Sequence, residues 1–459
     1  MFIGRNYELN HLNKMYKRSG FQFTVVYGRR RVGKTRLLTE FVRDKSAIFY
    51  VAEEHNDLLS LSKFSRVIYK YLGLPDTLGT FDSWIDAFEF LVKSVGEKKV
   101  VLVLDKFPYL ANGNKSILSI LQNIIDHKMI ETNIYLILCG SSVSFMENEV
   151  LSNKSPLYGR RTSQLKIKPL DFFETSKFFS NYSYNDLLKV YGALGGIPQY
   201  LIQFDSSLSV DENIVENMFD KSAFLYSEVN MLLRQEFNNP AVYRSIIEAV
   251  ARGASKLNEI ATKIGESTSK TAIYLKALTE LDIIERLVPI TEKNNSRRTI
   301  YQISDLYYLF YYRFVSKYTD AIEQELGRHV YDTRVYQEWS TYLGYVFEKV
   351  CVMYLSRENT KMSLPFLILK FGKWWGTDPI KKTREEIDII GLGDDGMIFC
   401  ECKYKSEKVD LSVLNKLIER SRLIPTDKRV YYIFSKSGFT DQLLERANDD
   451  IHLIDLSHM

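Results

Sequence analysis

Apolar positions in the first third of the chain come in short continuous runs separated by longer mixed segments. The runs lie at 23–27, 47–51, 100–105 and 134–139, and the third run ends in an acid. Such runs are typical of strands in a parallel sheet that is covered on both faces. A longer helical stretch is expected after the second run, through about Gly96. The pattern predicts an α/β domain.

From Pro240 the pattern changes to short amphipathic segments. Helices are predicted at 241–251, 256–265 and 267–281, followed by two β-like segments at 283–290 and 298–303 that the stretch 292–297 joins. Three helices and a hairpin predict a winged helix-turn-helix, which places its third helix in the DNA major groove when it binds DNA. The charged residues of this segment do not decide between DNA binding and a role in packing against the rest of the protein. The third helix has Lys270 and Lys276 against Glu280, and the wing carries Lys293, Arg297 and Arg298.

Alternating polar and apolar residues near the C-terminus predict two further strands, at 386–390 and 397–403. Glu401 and Lys403 share one face of the second strand, and Asp388 can face Glu401 across the pair. Two carboxylates beside an ammonium form a hard oxygen site for Mg²⁺. The alternative is a solvated face of an amphipathic hairpin. Aromatic residues at 307–314 and the pair at 374–375 are expected to belong to the core.

A glycine-rich segment follows the first apolar run and precedes a predicted helix: Gly28-Arg29-Arg30-Arg31-Val32-Gly33-Lys34-Thr35. Its glycines let backbone N–H groups turn towards phosphate oxygens, and the helix N-terminus adds partial positive charge. In such a loop the lysine reaches the β- and γ-phosphates and the threonine hydroxyl helps to hold Mg²⁺. Gly28, Gly33, Lys34 and Thr35 are therefore expected to bind a nucleoside triphosphate.

Asp105 ends the third apolar run, at the edge of the sheet where a P-loop protein uses an acid to hold Mg²⁺. The alternative is an acid that merely starts the following loop. The next residue is Lys106, where many ATPases of this type have a glutamate that orients the attacking water. Lysine cannot accept that proton, so the sequence predicts nucleotide binding and puts turnover in question.

Three further residues are candidates for contacts with the nucleotide. Ser141 follows the fourth run and is either a sensor of the γ-phosphate or an ordinary turn residue. Arg160 and Arg161 are either fingers that stabilise transition-state charge or members of surface salt bridges. If either arginine acts on a neighbour's nucleotide, the protein must form a homo-oligomer.

Bulk composition excludes several classes of protein. At 459 residues the chain is expected to contain two to four domains. The net charge of +4 requires any nucleic-acid site to be local, and four cysteines without zinc spacing indicate a reducing compartment. No run approaches the length of a membrane span and no signal peptide is evident, so a cytoplasmic protein without membrane contact is expected.

These motifs carry two resemblances. The phosphate loop and Asp105, with the segments at 2–5, 107–110, 139–142, 155–162 and 195–201, resemble the archaeal-type ATPase family, in the STAND-like branch of AAA-type P-loop proteins. That family normally has glutamate where this chain has Lys106. The turn at 195–198 is similar to the family's motif that senses nucleotide from a helical lid. The resemblance implies ATP as the nucleotide.

The C-terminal segment resembles the PD-(D/E)xK nuclease superfamily, and the domain is similar to one attached to these ATPases. The resemblance implies catalytic roles for Asp388, Glu401 and Lys403, with Glu348 as the additional acid on a helix at 345–354. The proline of the superfamily's name is absent before Asp388. The predicted metal ligands are Thr35, Asp105, Asp388 and Glu401.

The predicted fold is α/β, with a P-loop parallel-sheet core and a C-terminal restriction-endonuclease-like domain. The expected domains are an ATPase core (1–169), a helical lid (170–239), a winged helix (240–305), a helical connector (306–344) and a nuclease-like domain (345–459). The predicted function is a DNA-directed, ATP-binding ATPase whose nucleotide state controls Mg²⁺-dependent cleavage. The alternative is a non-catalytic ATP-bound switch, or a DNA-binding regulator with a degenerate nuclease domain.

Overall fold

The computed structural model describes residues 2–293 and 295–459, so Asn294 of the predicted wing turn lies outside the described residues. The chain forms two compact units. Unit 1 comprises Met1–Leu170 and Ile197–Gln199, and unit 2 comprises Asp171–Gly196 and Tyr200–Met459. Within the described ranges, no helix combines the length and the apolar character needed to cross a membrane.

Unit 1 is built on a five-stranded sheet. Its strands are β1 (Gln22–Tyr27), β2 (Ala47–Val51), β3 (Val100–Asp105), β4 (Ile134–Gly140) and β5 (Ser163–Lys166). The order is β2-β3-β4-β1-β5 and every neighbouring pair is parallel. The predicted parallel sheet is therefore confirmed. The edge strand β5 was not predicted, because its four residues are mostly polar and carry no apolar run.

Helices cover both faces of this sheet, and β1, β3 and β4 are buried along their whole length. The helices of unit 1 are Asn6–Lys17, Lys34–Val42, Asp57–Leu72, Trp84–Val95, Phe107–Gly113, Ile117–Ile124 and Val143–Phe145. The single long helical stretch expected before Gly96 was wrong. It is interrupted because Gly73 ends the first helix in the left-handed conformation (φ 69°) and Pro75 follows.

Unit 2 begins with helical segments. They are Phe172–Thr175, Tyr184–Leu194, Val210–Met218, Phe224–Glu236, Pro240–Ala251, Leu257–Ile264, Thr268–Glu280, Leu306–Phe310, Thr319–Glu323, Gly327–Val330 and Trp339–Thr360, and the short helix Pro198–Leu201 spans the boundary with unit 1. An antiparallel hairpin, β6 (Ile284–Leu287) with β7 (Ile300–Ile303), follows the helix that ends at Glu280. The aromatic residues at 307, 308, 310, 311, 312 and 314 are buried, which confirms the prediction that they belong to the core.

The C-terminal part of unit 2 contains a second five-stranded sheet. Its strands are β8 (Lys370–Thr377), β9 (Arg384–Leu392), β10 (Met397–Lys403), β11 (Arg429–Ser435) and β12 (Ile451–Asp455), with helices Leu411–Ser421 and Asp441–Leu444 between them. The order is β12-β11-β10-β9-β8. The pairs β8–β9 and β9–β10 are antiparallel, whereas β10–β11 and β11–β12 are parallel.

Candidate functional site

The phosphate loop connects β1 to the helix Lys34–Val42 and depends on two glycines with positive φ. Gly28 has φ 147°, and a Cβ placed on it would lie 2.3 Å from the carbonyl oxygen of Ile167. Gly33 has φ 91° and caps the helix. A side chain at Gly28 would therefore collide with backbone, and a side chain at Gly33 would be strained. The pattern of glycines is a requirement of this turn.

The two polar residues that follow the second glycine both form hydrogen bonds at this edge of the sheet. The Lys34 ammonium is buried and donates to the carbonyl oxygens of Gly28 and Arg29, at 2.7 and 2.8 Å. The Thr35 hydroxyl donates to Asp105 Oδ2 at 2.7 Å, and Asp105 is buried at the end of β3. A hydroxyl and a carboxylate at this distance suit a hard divalent cation. The structure thus brings Lys34, Thr35 and Asp105 to one edge of the sheet.

Lys106 has a structural role in the turn after β3. It adopts the left-handed conformation (φ 54°) at the start of the helix Phe107–Gly113, and its side chain is exposed. Its backbone N–H donates to Asp105 Oδ1 at 2.8 Å. The residue therefore orients the Asp105 carboxylate through its backbone, and its side chain offers no proton acceptor.

The end of β4 lies between β1 and β3 in the sheet, so its residues reach the same edge. Ser141 follows β4 directly and is half-buried. The neighbouring Cys139 is buried, and burial together with the Asp105 charge raises the pKa of its thiol well above the usual value. A thiol held protonated in this way is a packing residue and not a nucleophile.

The structure places both candidate arginines in local contacts. Arg160 forms a two-pronged ion pair with Asp126, with Nε–Oδ1 and Nη2–Oδ2 distances of 2.7 and 2.6 Å. This pairing raises the pKa of Arg160 and lowers the pKa of Asp126. Arg161 donates to the carbonyl oxygen of Leu151 at 3.0 Å. These contacts favour the surface-turn alternative for both arginines.

Two further residues, from segments outside the phosphate loop, lie against it. Arg5 is buried and donates from Nη2 to the carbonyl oxygen of Val32 at 2.9 Å. Pro198, in the turn that the family resemblance singled out, has its Cγ 3.8 Å from the position that a Cβ on Gly33 would occupy. Both residues belong to segments that were noted as motifs, and only the folded structure shows that they touch this loop.

The C-terminal sheet brings together the carboxylates that the sequence predicts. The ladder between β9 and β10 continues to Cys400 opposite Ile389, and Asp388 and Glu401 come next on the two strands. Asp388 Oδ2 accepts a hydrogen bond of 2.8 Å from the backbone N–H of Cys402. Asp388 therefore lies directly beside the strand segment that carries Glu401.

Glu401 is buried, and its two oxygens have different surroundings. Oε1 accepts from Lys403 Nζ at 2.5 Å. Oε2 is buried and has no hydrogen-bond partner among the described residues, and Arg420 Nη1 lies 3.6 Å from it. Arg420 is itself held by Glu385, with an Nε–Oε2 distance of 2.9 Å. An unsatisfied buried carboxylate oxygen is costly, so this position fits a divalent cation.

Charges around Glu401 also affect the ionisation of the cluster. Burial raises the pKa of the Glu401 carboxyl, and the Asp388 charge raises it further, against the opposing effect of Lys403. Burial lowers the pKa of Lys403, but the Glu401 charge, the hydrogen bond to Glu401 and the Asp388 charge together outweigh burial, so the net pKa is raised. The ammonium beside Glu401 is therefore charged at neutral pH.

The helical acid Glu348 is bound by a lysine that the sequence did not single out. Glu348 lies on the helix Trp339–Thr360, and its carboxylate accepts from Lys373 Nζ of β8. Throughout residues 2–293 and 295–459, no three His, Cys, Asp or Glu side chains are grouped so that they could hold a metal ion. Glu348 is thus paired with Lys373, and burial together with the Asp388 charge raises the pKa of its carboxyl. Lys373 directly precedes the Trp374-Trp375 pair, which is the sequence signal that could have found it.

The segment at 240–303 has the expected order of three helices and a hairpin, but three of the five basic residues that the sequence singled out form ion pairs. On the third helix, Lys270 lies 3.5 Å from Glu266 and Lys276 lies 3.8 Å from Glu280. In the hairpin loop, Arg298 lies 2.9 Å from Glu292. These pairs reduce the positive potential that a DNA backbone would meet.

The loop that follows β6 attaches the hairpin to the C-terminal sheet. The backbone N–H of Ile290 donates to the carbonyl oxygen of Lys373 at 2.9 Å. Glu285 of β6 pairs with Lys349 at 2.9 Å, one residue after Glu348. The hairpin therefore contacts the two elements that carry the Lys373 and Glu348 pair.

Comparison with known proteins identifies two matching family models. Residues 2–204 match a family described as an ATPase domain predominantly from Archaea. Residues 311–414 match a family described as archaeal and bacterial proteins of unknown function. The second match includes Glu348, Lys373, Asp388 and Glu401.

One relative covers nearly the whole chain. It is the uncharacterized protein MJECL04 of Methanocaldococcus jannaschii, which is 35% identical over 463 residues, 99% of this chain and 99% of the relative. A second, the uncharacterized ATP-binding protein MJ0423 of the same organism, is 40% identical over 45 residues, 10% of this chain and 76% of the relative.

Among solved structures, the Walker-type ATPase PABY2304 of Pyrococcus abyssi is similar with a TM-score of 0.52 and 21% identity. The similarity covers 68% of this chain and 96% of that one. At this identity the likeness concerns the fold alone.

Proposed function

Since this chain belongs to the archaeal P-loop ATPase family of its full-length Methanocaldococcus jannaschii relative, we propose that its nucleotide state controls a DNA-directed nuclease centre. ATP is the proposed nucleotide, and the centre is the Mg²⁺-dependent carboxylate cluster of the C-terminal sheet. The single observation that carries this proposal is the buried Oε2 of Glu401 beside Asp388 and Lys403, which accepts no hydrogen bond from the residues that the structure describes.

The nucleotide would be held by the edge of the unit 1 sheet. Lys34 bonds two loop carbonyls in this structure, and an ammonium in that position can turn to phosphate oxygens. Thr35 and Asp105 would hold Mg²⁺, which neutralises charge on the phosphates when it is bound. Gly28 and Gly33 keep the loop backbone open for this contact, and Ser141 lies at the same edge.

The strand order supports the nuclease assignment. Three antiparallel strands, β8, β9 and β10, are followed by a helix and by β11 parallel to β10, with the helix Trp339–Thr360 before them. This order is the one expected of a restriction-endonuclease-like domain. Asp388 and Glu401 would hold Mg²⁺, which lowers the pKa of bound water and neutralises a phosphodiester when it is present. Lys403 supplies a fixed positive charge beside Glu401.

Control by nucleotide would act through the parts that lie between the two sites in sequence. We assign residues 170–239 to the lid, 240–305 to a winged helix and 306–344 to the connector. Pro198 lies at the phosphate loop, whereas Asn185 on the helix Tyr184–Leu194 accepts a hydrogen bond from Tyr404, the residue after Lys403. The segment from Asn185 to Pro198 could therefore move when phosphates bind to the loop, and this movement would shift Tyr404 next to the carboxylate cluster.

A second candidate function is an ATP-bound switch that does not hydrolyse its nucleotide. The observation that favours it is the exposed side chain of Lys106, a residue that bonds Asp105 through its backbone N–H. Without a proton acceptor at this position, bound ATP would persist and act as a conformational ligand. The C-terminal sheet would then grip DNA without cutting it.

The deciding experiment incubates the protein with linear, circular and single-stranded DNA and Mg²⁺ or Mn²⁺, with and without ATP. The variant Asp388→Asn tests the centre, and Asp394→Asn, on the exposed β9–β10 turn, is the matched control. Cleavage that Asp388→Asn abolishes and Asp394→Asn retains would establish the nuclease. Cleavage of equal rate with and without ATP would refute nucleotide control. No cleavage under any condition would leave the switch as the better function.

A further inference from the structure

The carboxylate cluster contains two lysines that come from different strands. Lys403 of β10 binds Glu401 at 2.5 Å, and Lys373 of β8 binds Glu348. Asp388 lies on β9, between these two strands, and the irregular β8–β9 register places Lys373 between the pairs Gly372–Ile390 and Trp374–Ile387. The cluster therefore has two acid–lysine pairs on either side of one aspartate.

Lys373 is held in place by its surroundings. Its backbone carbonyl accepts the hydrogen bond from Ile290, and a Cβ on the preceding Gly372 would meet Ile290 at 3.2 Å. Ile290 belongs to the buried core of the C-terminal sheet together with Trp374. The Lys373 side chain is only 25% exposed. This lysine is thus a fixed part of the cluster and differs from the flexible lysines of an open surface.

The contacts divide the three carboxylates into two classes. One oxygen of Asp388 accepts a hydrogen bond from the Cys402 N–H. Glu401 Oε2 accepts no hydrogen bond in the part of the chain that the structure describes. Glu348 is neutralised by an ammonium in direct contact. Two-metal sites clamp both the attacking and the leaving oxygen with cations about 4 Å apart. Two available carboxylates suit one cation, and the third is already occupied by Lys373.

We propose that the cluster holds a single divalent cation between Asp388 and Glu401, and that the Lys373 ammonium replaces a second cation against the phosphodiester. This inference rests on the proposed nuclease function. It assigns Glu348 the task of positioning Lys373 and makes Lys373 a group that contacts substrate phosphate. With Lys403 on the other side, a phosphodiester would meet fixed positive charge from two strands.

The first test counts bound metal ions without measuring activity. Mn²⁺ is titrated into nucleotide-free protein and followed by electron paramagnetic resonance, in a Thr35→Ala background that removes the phosphate-loop site. We expect one Mn²⁺ per chain. Glu348→Gln should retain that ion with nearly unchanged affinity, whereas Asp388→Asn should weaken it by at least about tenfold. Two ions in the parent, or equal losses in Glu348→Gln and Asp388→Asn, would overturn the proposal.

The second test asks whether Lys373 contacts phosphate. Binding of a labelled DNA duplex is measured by fluorescence anisotropy in Ca²⁺ over a range of salt concentrations. Lys373→Met should reduce the slope of log affinity against log salt by about one, because one phosphate contact is lost. Lys373→Arg should restore the slope, and melting curves check that each variant is folded. An unchanged slope in folded Lys373→Met would overturn the proposal.

The matched control is Lys381→Met, which removes a lysine that is half-exposed and pairs with Glu419 at 2.5 Å. Its slope should equal that of the parent. Failure of the two proposals can be separated. One bound Mn²⁺ and a Lys373-dependent slope without any cleavage would support this inference and refute nuclease activity. Cleavage with two bound Mn²⁺ would refute the single-cation site and leave nuclease activity standing.

Discussion

The Thr35 hydroxyl donates a hydrogen bond of 2.7 Å to Asp105 Oδ2, although 70 residues separate them in the chain. The contact exists because β1 and β3 are parallel strands, with only β4 between them, and both end at the same edge. It brings the phosphate loop and the acid together at the position where the proposed function would hold Mg²⁺.

Removing the Lys34 ammonium should weaken ATP binding by roughly 10- to 100-fold, because charge-assisted hydrogen bonds contribute about 1.5–3 kcal/mol. The measurement is a titration of Lys34→Ala with a fluorescent ATP analogue. Lys115→Ala, which removes an exposed lysine of the same unit, is the control and should bind normally. Equal affinity in Lys34→Ala and the control would mean that the nucleotide binds elsewhere.

Replacing Lys106 by glutamate should raise the ATP turnover number by at least about tenfold, since a positioned general base contributes roughly 10²–10⁴-fold in rate. Steady-state phosphate release is the measurement, with Lys106→Gln as a control that lacks the carboxylate. An unchanged turnover number in Lys106→Glu would show that another residue already orients the water.

Replacing Gly28 by alanine should destabilise the protein, because the added Cβ would lie 2.3 Å from the Ile167 carbonyl oxygen. The expected loss in the free energy of unfolding is about 1–3 kcal/mol, with loss of ATP binding. Gly344→Ala is the control, since a Cβ there meets nothing within 4 Å and the glycine lies inside a helix. Thermal unfolding of both variants should separate them, and equal melting temperatures would contradict the steric argument.

Breaking the Arg160–Asp126 pair should leave ATP binding and turnover unchanged if the pair has only a structural role. Arg160→Gln and Asp126→Asn should each cost about 0–1 kcal/mol of stability, as exposed pairs usually do. The measurements are ATP titration, phosphate release and thermal unfolding. A large fall in turnover with Arg160→Gln but not with Asp126→Asn would instead identify Arg160 as a finger.

Mn²⁺ binding at the C-terminal cluster should weaken as the pH falls, because a proton competes with the cation for Glu401. Burial and the Asp388 charge raise the pKa of this carboxyl above the ordinary value. Affinity should therefore begin to fall at a higher pH than for an exposed glutamate. Mn²⁺ titrations at several pH values measure the effect, and Glu401→Gln should remove both the binding and its pH dependence. Affinity that stays constant down to the usual glutamate pKa would contradict the prediction.

Sequence spacing alone determined those parts of the site that depend on local geometry. The glycines, Lys34 and Thr35 lie within one turn, and their spacing sets the loop. Asp105 could be placed because parallel strands present their ends at one edge of a sheet. Glu401 and Lys403 could be placed on one face because strand side chains alternate. These inferences need only the alternation of side chains along a strand and the positions at which the strands end.

Tertiary structure alone decided which side chains meet across separate elements. Arg160 binds Asp126, Arg5 reaches Val32 and Lys373 binds Glu348. None of these pairs follows from periodicity, because strand order, sheet register and helix packing set the distance between elements. Within that arrangement, long flexible side chains such as lysine and arginine bind the oppositely charged or polar groups that lie within their reach. The sequence therefore predicted the candidate residues of each site, and the packing of the elements decided which further charged residues contact them.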